Sequence, residues 1–543
     1  MRKFRGNPWA VLVVISLGFF MTLLDLTIVN IAIPNLISKL HASFDDVLWV
    51  INAYALVLAV LVITGGRLGD LIGPRIMFGA GVGLFTAASA ACGLAPSPGW
   101  LIAFRAVQGL GAAMLMPQTL TMITMVFPPE RRGAAFGIWG AVAGVATIAG
   151  PTLGGLLITA FDWRWIFFVN VPIGAIVLAL TFVLIPDLRT GRRHRLDLPG
   201  VVLASAALLA ICYGLVEGQK YNWGKITSFI SIPLVIGAGI VLLAVFLVSQ
   251  AMQQDREPLL PFSVFKNRNF SLMNLVSGSL VIGMMGIFLP FTIYLQSVLG
   301  FSALKAGLVM SPSSIIAMFI APVTGRMTDR IGGKYILMTG LTLFGAGMGW
   351  MVLTARTTST WTDFLPAMVV AGIGMGGTFA PLTTVAMRDV EPRLAGAASG
   401  VLNTTRQVGT VIGTAAMGAL LQNRLVAAWA GQAITRTRGL PRPVSAQIES
   451  GFRNAAKSGL QVGAGQTGSK VKLPPGTAPD LAHQIALISR EIFTFGFVSA
   501  MRWTVVAPVA LMLAAAACCV AIRQRQATAR GAPAEQAEAR TPA

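Results

Sequence analysis

The chain has 543 residues, 55% of them hydrophobic and only 11% charged, against about 25% charged in an average soluble domain. That balance excludes an ordinary soluble protein. Apolar runs able to cross a ~30 Å hydrocarbon core recur from end to end and point to an all-α polytopic membrane protein, not a β-barrel with its ~10-residue alternating segments. The net charge of +21 lies mostly in the connections between runs, where it sets topology, so no nucleic-acid partner is expected.

Fourteen spans are predicted, at about 9–34, 47–65, 76–95, 99–126, 134–159, 165–186, 198–216, 227–249, 271–294, 305–323, 335–354, 364–387, 395–421 and 499–522. The first follows Arg2, Lys3 and Arg5 but contains Asp25 and runs on to Pro34 without a small-residue cleavage site, so it is read as a span and not a signal peptide. Asp25 is the one carboxylate well inside that span. Burial favours its neutral, protonated form, and a nearby cation drives the proton off again, which makes it a candidate proton-coupling group. The competing reading is a permanent ion pair with Arg105.

Between the second and third spans stands Gly66-Arg67-Leu68-Gly69-Asp70-Leu71-Ile72-Gly73-Pro74-Arg75. It returns 259 residues later as Gly325-Arg326-Met327-Thr328-Asp329-Arg330-Ile331-Gly332-Gly333-Lys334. Each copy follows the second span of a set of six, so spans 1–6 and 9–14 form two equivalent halves. In this turn Asp70 is expected to cap a neighbouring helix or pair with a basic residue across the boundary, and Gly66 and Gly73 permit tight backbone paths. The whole repeat is read as conformational gating: Gly66, Asp70, Gly73 and Arg75 in the first copy, Gly325, Asp329, Arg330, Gly332 and Lys334 in the second.

The fourth span holds Arg105 and Gln108 on one face, with Gly109 and Ala113 spaced for close helix approach. An arginine inside a span is costly unless it faces a partner or a wet cavity, the alternative being a side chain that snorkels to an interface. The fifth span carries Gly150-Pro151-Thr152-Leu153-Gly154-Gly155, where Pro151 removes a backbone hydrogen bond and Gly150, Gly154 and Gly155 allow contact and bending. Asn30, Tyr54, Gln108, Gln118, Tyr294, Gln296 and Arg406 are polar candidates for lining a substrate cavity, together with methionine and phenylalanine side chains.

Four units follow. Residues 1–187 form an N-terminal six-helix bundle; 188–270 form an inserted helix pair entered through the basic stretch Arg189–Arg195; 271–522 form a C-terminal six-helix bundle with a long, polar external loop at 422–498; and 523–543 form a disordered cytoplasmic tail. Helical spacing appears inside the loop, from Val444 to Leu460. With the N-terminus in the cytoplasm, the inner segments hold 23 Lys and Arg and the short outer loops six, so both termini and both copies of the repeat are expected inside. No cysteine, histidine or carboxylate spacing suggests a metal or a cofactor.

These residues resemble the signature motifs of the major facilitator superfamily, specifically its fourteen-span drug:proton antiporters. The repeated loop, the Arg105 stretch and the Gly150-Pro151 stretch carry the likeness. So do Leu24 to Asn30, Trp49 to Tyr54, Trp163 to Phe167 with Asn170 and Pro172, Tyr294-Leu295-Gln296, and Ser399-Gly400 through Arg406-Gln407-Val408-Gly409. The chain departs from the family pattern at Leu71 and Pro74, where basic residues are usual, and at Ala146, where glycine is. Around Ser311-Pro312 it also lacks the acid that some relatives place there, so recognition of doubly charged cations does not carry over. The resemblance implies two bundles rocking about a central site in the plasma (inner) membrane, exporting amphipathic small molecules against protons, driven by the proton gradient and without a cofactor. A dedicated exporter of one endogenous metabolite, such as an antibiotic or lipid, is the runner-up. An ATP-driven pump lacks its Gly-x-x-x-x-Gly-Lys-(Ser/Thr) loop, and neither a nucleophile elbow nor a clustered metal set supports an enzyme. The sequence gives no sign of a periplasmic adaptor partner.

Overall fold

The computed structural model describes residues 6–188, 197–254, 258–438, 442–457 and 479–523, apart from positions 41, 43, 219, 220, 222 and 228. The basic stretch 189–195, the segment 458–478 and the tail from 524 lie outside the described residues. So does the side chain of Asn30.

Helix α1 (Pro8–Lys39) starts where Asn7 accepts the N–H of Trp9 at 2.9 Å and Pro8 presets the first turn. It is followed by α2 (Phe44–Ile72), α3 (Pro74–Gly93), α4 (Pro98–Val126), α5 (Arg132–Ala160), the short α6 (Trp165–Phe168), α7 (Asn170–Leu184), α8 (Leu198–Glu217) and α9 (Ile232–Met252). The second half comprises α10 (Ser263–Lys266), α11 (Arg268–Ile293), α12 (Ala303–Ile331), α13 (Lys334–Thr354), α14 (Leu365–Met387), α15 (Ala395–Arg436), α16 (Arg442–Lys457) and α17 (Pro479–Cys518). Fourteen of the described helical segments are long and apolar enough to cross a membrane. Large apolar side chains such as Ile176, Val202, Phe319, Leu353 and Trp503 face outward, as a hydrocarbon surround permits and water does not.

The first six spans pack as one bundle and the last six as another. They meet chiefly where α5 lies along α12 and α2 along α15, while α8 and α9 pair with each other and α8 leans on α2 and α15. Gly73 (φ +104°) and Gly332 (φ +86°) sit at equivalent turns, α2 to α3 and α12 to α13, in backbone conformations that a side chain would strain.

The region expected to be a long loop at 422–498 is largely helical instead. The thirteenth span does not stop at 421; α15 runs on unbroken to Arg436, and α17 begins at Pro479, well before the expected 499. These extensions are too polar for a hydropathy criterion, but Leu421, Leu425, Trp429 and Ala433 recur at helical spacing and are buried. Trp429 packs on Phe493 and Phe452, with ring centroids 5.5 and 5.9 Å away, and its indole N–H donates to Phe493 O at 3.3 Å. Arg436 pairs with Glu491. α16 covers the cluster with Ile448 and Phe452, close to the helix expected from Val444 onward.

Candidate functional site

Asp25, near the middle of α1, and Arg105, on α4, are both buried, at 0% and 1% exposure, and form an ion pair. Arg105 therefore does not snorkel. Its Nη1 donates to Asp25 Oδ2 and to Gln108 Oε1 (2.8 Å), and its Nε donates to the Val50 carbonyl (3.0 Å). The guanidinium lies over the Tyr54 ring, 4.4 Å from its centroid, and within 5.9 Å of Phe167. On the other oxygen of Asp25, Gln108 Nε2 donates at 2.9 Å and Asn170 Nδ2 at 3.4 Å. Asn170 also donates to Ser89 Oγ (3.1 Å), whose hydroxyl donates to Phe167 O (2.9 Å).

Helices α4 and α7 thus converge on one carboxylate of α1, with α2 and α3 holding the donors from behind. The ion pair and the amide donors together satisfy a charge that would be intolerable alone in a low-dielectric interior. Chemically, the site holds a charge whose removal by one proton leaves Arg105 with neutral acceptors only. Gln108 and Tyr54, expected in a cavity, belong to this cluster and are fully buried. Asn170 and Ser89 were not among the expected site residues. Asn170 is a polar residue in an apolar run and had a signal; Ser89, within Ala87-Ala88-Ser89-Ala90, had none.

The repeated loops form two crossed clasps at one end of the molecule. Asp70, at the end of α2, accepts the backbone N–H groups of Gly396 and Ala397, each at 3.0 Å. Asp329, at the end of α12, accepts those of Gly133 (2.7 Å) and Ala134 (2.9 Å). Each aspartate of one half caps the first turn of a helix in the other half, where the macrodipole and unpaired N–H groups favour an anion. The capping role is realised; Arg67 lies 3.9 Å from Asp70 within the same copy. Gly66 and Gly325 make the approach possible, since a Cβ on Gly66 would stand 2.5 Å from Gly396 O and one on Gly325 2.2 Å from Gly133 O.

Arg132 adds a cross-half contact, donating from Nη1 to Arg388 O at 3.0 Å. Arg75 instead stays within its own half, donating to Phe182 O. Arg330 is exposed, and Lys334 lies over the Tyr335 ring, 5.7 Å from its centroid.

The α5–α12 contact loosens away from the clasps. An added Cβ would meet backbone oxygen at 2.6 Å from Gly137 and 2.8 Å from Gly144, but from Gly155 only a Leu304 methyl at 3.9 Å. The tightest α5–α12 approach is therefore toward the clasp end, while α15 stays packed on α2 as far as Val408 and Val411.

α5 passes through Gly150-Pro151 and Gly154-Gly155 as continuous helix. At Gly150 it presses on α1, since a Cβ there would stand 2.0 Å from Thr27 Oγ1. The side chain of Pro151 lies outside the described residues.

The other expected cavity residues are dispersed. Gln118 is buried beside the first clasp and donates to Gly65 O at 2.8 Å. Tyr294 is buried in an aromatic cluster with Phe291 and Phe364, its hydroxyl donating to Arg356 O at 2.5 Å. Neither lines open space in this conformation. Gln296 and Arg406 are half-buried.

Residues 15–414 match the Major Facilitator Superfamily. The chain is 42% identical over 426 residues to an uncharacterized MFS-type transporter of Mycobacterium tuberculosis, covering 78% of this chain and 72% of the relative. It is 35% identical over 433 residues to the tetracenomycin C resistance and export protein of Streptomyces glaucescens (78% and 77% covered). It is 33% identical over 445 residues to the multidrug resistance protein Stp of Mycobacterium tuberculosis (80% of each covered). Among solved structures, the human organic anion transporter MFSD10 (TETRAN) superposes with a TM-score of 0.57 at 11% identity, over 93% of this chain and 99% of that one. At that identity the likeness is one of fold.

Proposed function

The chain belongs to the Major Facilitator Superfamily, and from that premise we propose that it is a proton-coupled antiporter exporting amphipathic or lipophilic small molecules by alternating access. The observation that carries this reading is the buried Asp25–Arg105 pair, a titratable charge at the junction of α1 and α4. Relatives named for multidrug resistance and for antibiotic resistance and export support the direction of transport. The protein would sit in the plasma membrane with both termini and the clasps on the cytoplasmic side, in line with the distribution of Lys and Arg.

In this scheme the described conformation, closed at the clasp end, faces outward. A proton entering from outside neutralises Asp25 and ends its ion pair. Arg105 keeps Val50 O, Gln108 Oε1 and the Tyr54 ring, while α1 loses its charged tie to α4. α1 touches α5 at Thr27–Gly150, and α5 carries the second clasp at its first turn. Protonation thereby biases a two-state rocking of the halves, and substrate release and proton delivery inside reset it.

The test is efflux from inverted vesicles under an imposed pH gradient, with a panel of lipophilic compounds. Wild-type transport should collapse with a protonophore and survive ATP depletion at a held gradient, and Asp25→Asn should abolish active efflux. Full active efflux by Asp25→Asn would sink the coupling role. The narrower reading, one dedicated compound, is favoured by the relative named for tetracenomycin C alone. It is recognised if a single member of the panel is exported.

A further inference from the structure

The interior charges of the two halves are handled differently. In the first half Arg105 is neutralised by Asp25. In the second half Arg406, within the α15 span, has only hydroxyls: its Nε donates to Ser277 Oγ on α11 (3.2 Å) and its Nη2 to Thr383 Oγ1 on α14 (2.9 Å). The Thr383 hydroxyl proton is committed to Phe379 O at 2.8 Å, which turns a lone pair toward the guanidinium. Among the described residues no carboxylate pairs with Arg406 and none accepts from its Nη1.

The side chain is half-buried. Ser399, seven residues earlier on α15, donates to Pro117 O of α4 at 2.6 Å, where the halves touch. Arg406 therefore stands ~10 Å further along α15, just before Val408 and Val411, which pack on Leu56, Ala59 and Val60 of α2. Its partners Ser277 on α11 and Thr383 on α14 are fully buried, so the guanidinium head lies inside the second half.

An unneutralised arginine in a span is expensive, and such residues mark ligand sites. We propose that Arg406 binds the acidic group of the exported compound, so that the preferred substrates are amphipathic weak acids carrying a carboxylate or phenolate. The inference rests on the export reading above and adds the substrate class.

Apolar surface for the rest of the molecule is in register. Met284 and Phe288 follow Ser277 on one face of α11, and Phe379 lies one turn before Thr383 on α14; all three are part-buried. A guanidinium with free donors recognises a carboxylate by charge-assisted hydrogen bonds. It repels quaternary ammonium and divalent cations, in accord with a tenth span that has Ser311-Pro312 and no acid.

The test uses purified protein in detergent or nanodiscs and a matched fluorescent pair, 11-(dansylamino)undecanoic acid and its methyl ester, at a pH where the acid is ionised. Wild type should bind the acid about tenfold or more tighter than the ester. Arg406→Gln should lose about tenfold for the acid and less than about twofold for the ester, and Arg406→Lys should recover part of the acid affinity. Equal loss of acid and ester in Arg406→Gln, or a wild type that does not distinguish them, overturns the proposal. Where Arg406→Gln does not fold, the acid-to-ester ratio of wild type against Thr383→Val decides: an unchanged ratio overturns the site and a reduced one supports it. Binding needs no gradient. Acid selectivity without proton-driven efflux would therefore retain this site and defeat the export reading, while efflux with no acid selectivity would do the reverse.

Discussion

The carboxylate of Asp329 accepts the backbone N–H of Gly133 at 2.7 Å across the boundary between the two halves. Asp70 and Gly396 repeat the arrangement in the opposite sense. Because each aspartate belongs to one half and each capped helix to the other, the clasps hold only while the halves are together at that end. They tie one half to the other and add nothing to the packing within either bundle.

Asp329→Ala should therefore leave each bundle folded and favour opening at the clasp end. Charge-assisted hydrogen bonds at a helix N-terminus contribute about 1.5–3 kcal/mol. Asp329→Asn should have a smaller effect, because its amide oxygen still accepts. Spin labels at the exposed positions 131 and 326 should report a longer distance population in Asp329→Ala. An unchanged distribution would remove the clasp from the gating scheme.

Gly325→Ala places a methyl 2.2 Å from Gly133 O, whereas Gly83→Ala on α3 meets nothing within 4 Å. Overpacking costs about 1–3 kcal/mol, which shifts a two-state equilibrium about 5–150-fold. Gly325→Ala should depress efflux and shift the label distances toward the open clasp end. Gly83→Ala should be silent or raise the melting temperature slightly, since helical alanine is favoured over glycine by about 0.5–1 kcal/mol. Equal transport by both variants would contradict the close-approach argument.

Arg105→Ala leaves Asp25 buried without its cation, a loss of about 3–5 kcal/mol if the carboxylate stays charged. Asp25→Asn keeps the hydrogen-bonding shape and should be milder. Thermal unfolding in detergent should rank them in that order, and the double variant Asp25→Asn with Arg105→Gln should melt above Arg105→Ala. A double variant no more stable than Arg105→Ala would mean that the pair is not what Arg105 stabilises.

At the far end Lys39 donates to Asp162 at 3.2 Å, joining α1 to the connection after α5. Burial works against the Asp162 charge, but Lys39, the Trp163 N–H and Arg164 outweigh it and hold the carboxyl below its ordinary value of 3.8. A depressed carboxyl contributes stability that is fully present above its unfolded value and is lost only as pH falls through the folded one. The effect of Asp162→Asn on melting should therefore be constant from about pH 5 to 8 and fade below about pH 4. A change across neutral pH would contradict the depressed carboxyl at Asp162.

Trp429→Ala should cost about 3–5 kcal/mol locally, because the ring bridges α15, α16 and α17. Hydrogen exchange should rise in α16 and the start of α17 with the spans unaffected. Protection loss spreading through α11 would show instead that this cap supports the bundle.

The charged residues of this molecule were legible because charges in apolar runs are rare. Asp25 and Arg105 stood out singly, and the repeat marked Asp70 and Asp329. Their partners were harder to see. Asp70 and Asp329 bind backbone amides at Gly396, Ala397, Gly133 and Ala134, and an amide carries no residue-type signature. Ser89 hides among alanines. Tyr294 and Gln118 have the right chemistry for a cavity, yet their helix faces turn them into packing, which polarity alone does not reveal. The fourteen spans followed from hydropathy, and the same criterion stopped α15 at 421, because past that point the helix buries a single stripe of residues and is otherwise polar.

That helix spans 42 residues without a break, ~63 Å of rod against a hydrocarbon core of ~30 Å. Its first turn is held by Asp70 and its last by Glu491. A rotation of ~15° about its midpoint, a size seen in known subunit rearrangements, would sweep each tip by ~8 Å in opposite directions. The helical cap around Trp429 is thus a lever arm attached to the Asp70 clasp at the other end of the same helix. A binding protein that wedges the cap against the first bundle would hold the clasp end without approaching the Asp25–Arg105 pair.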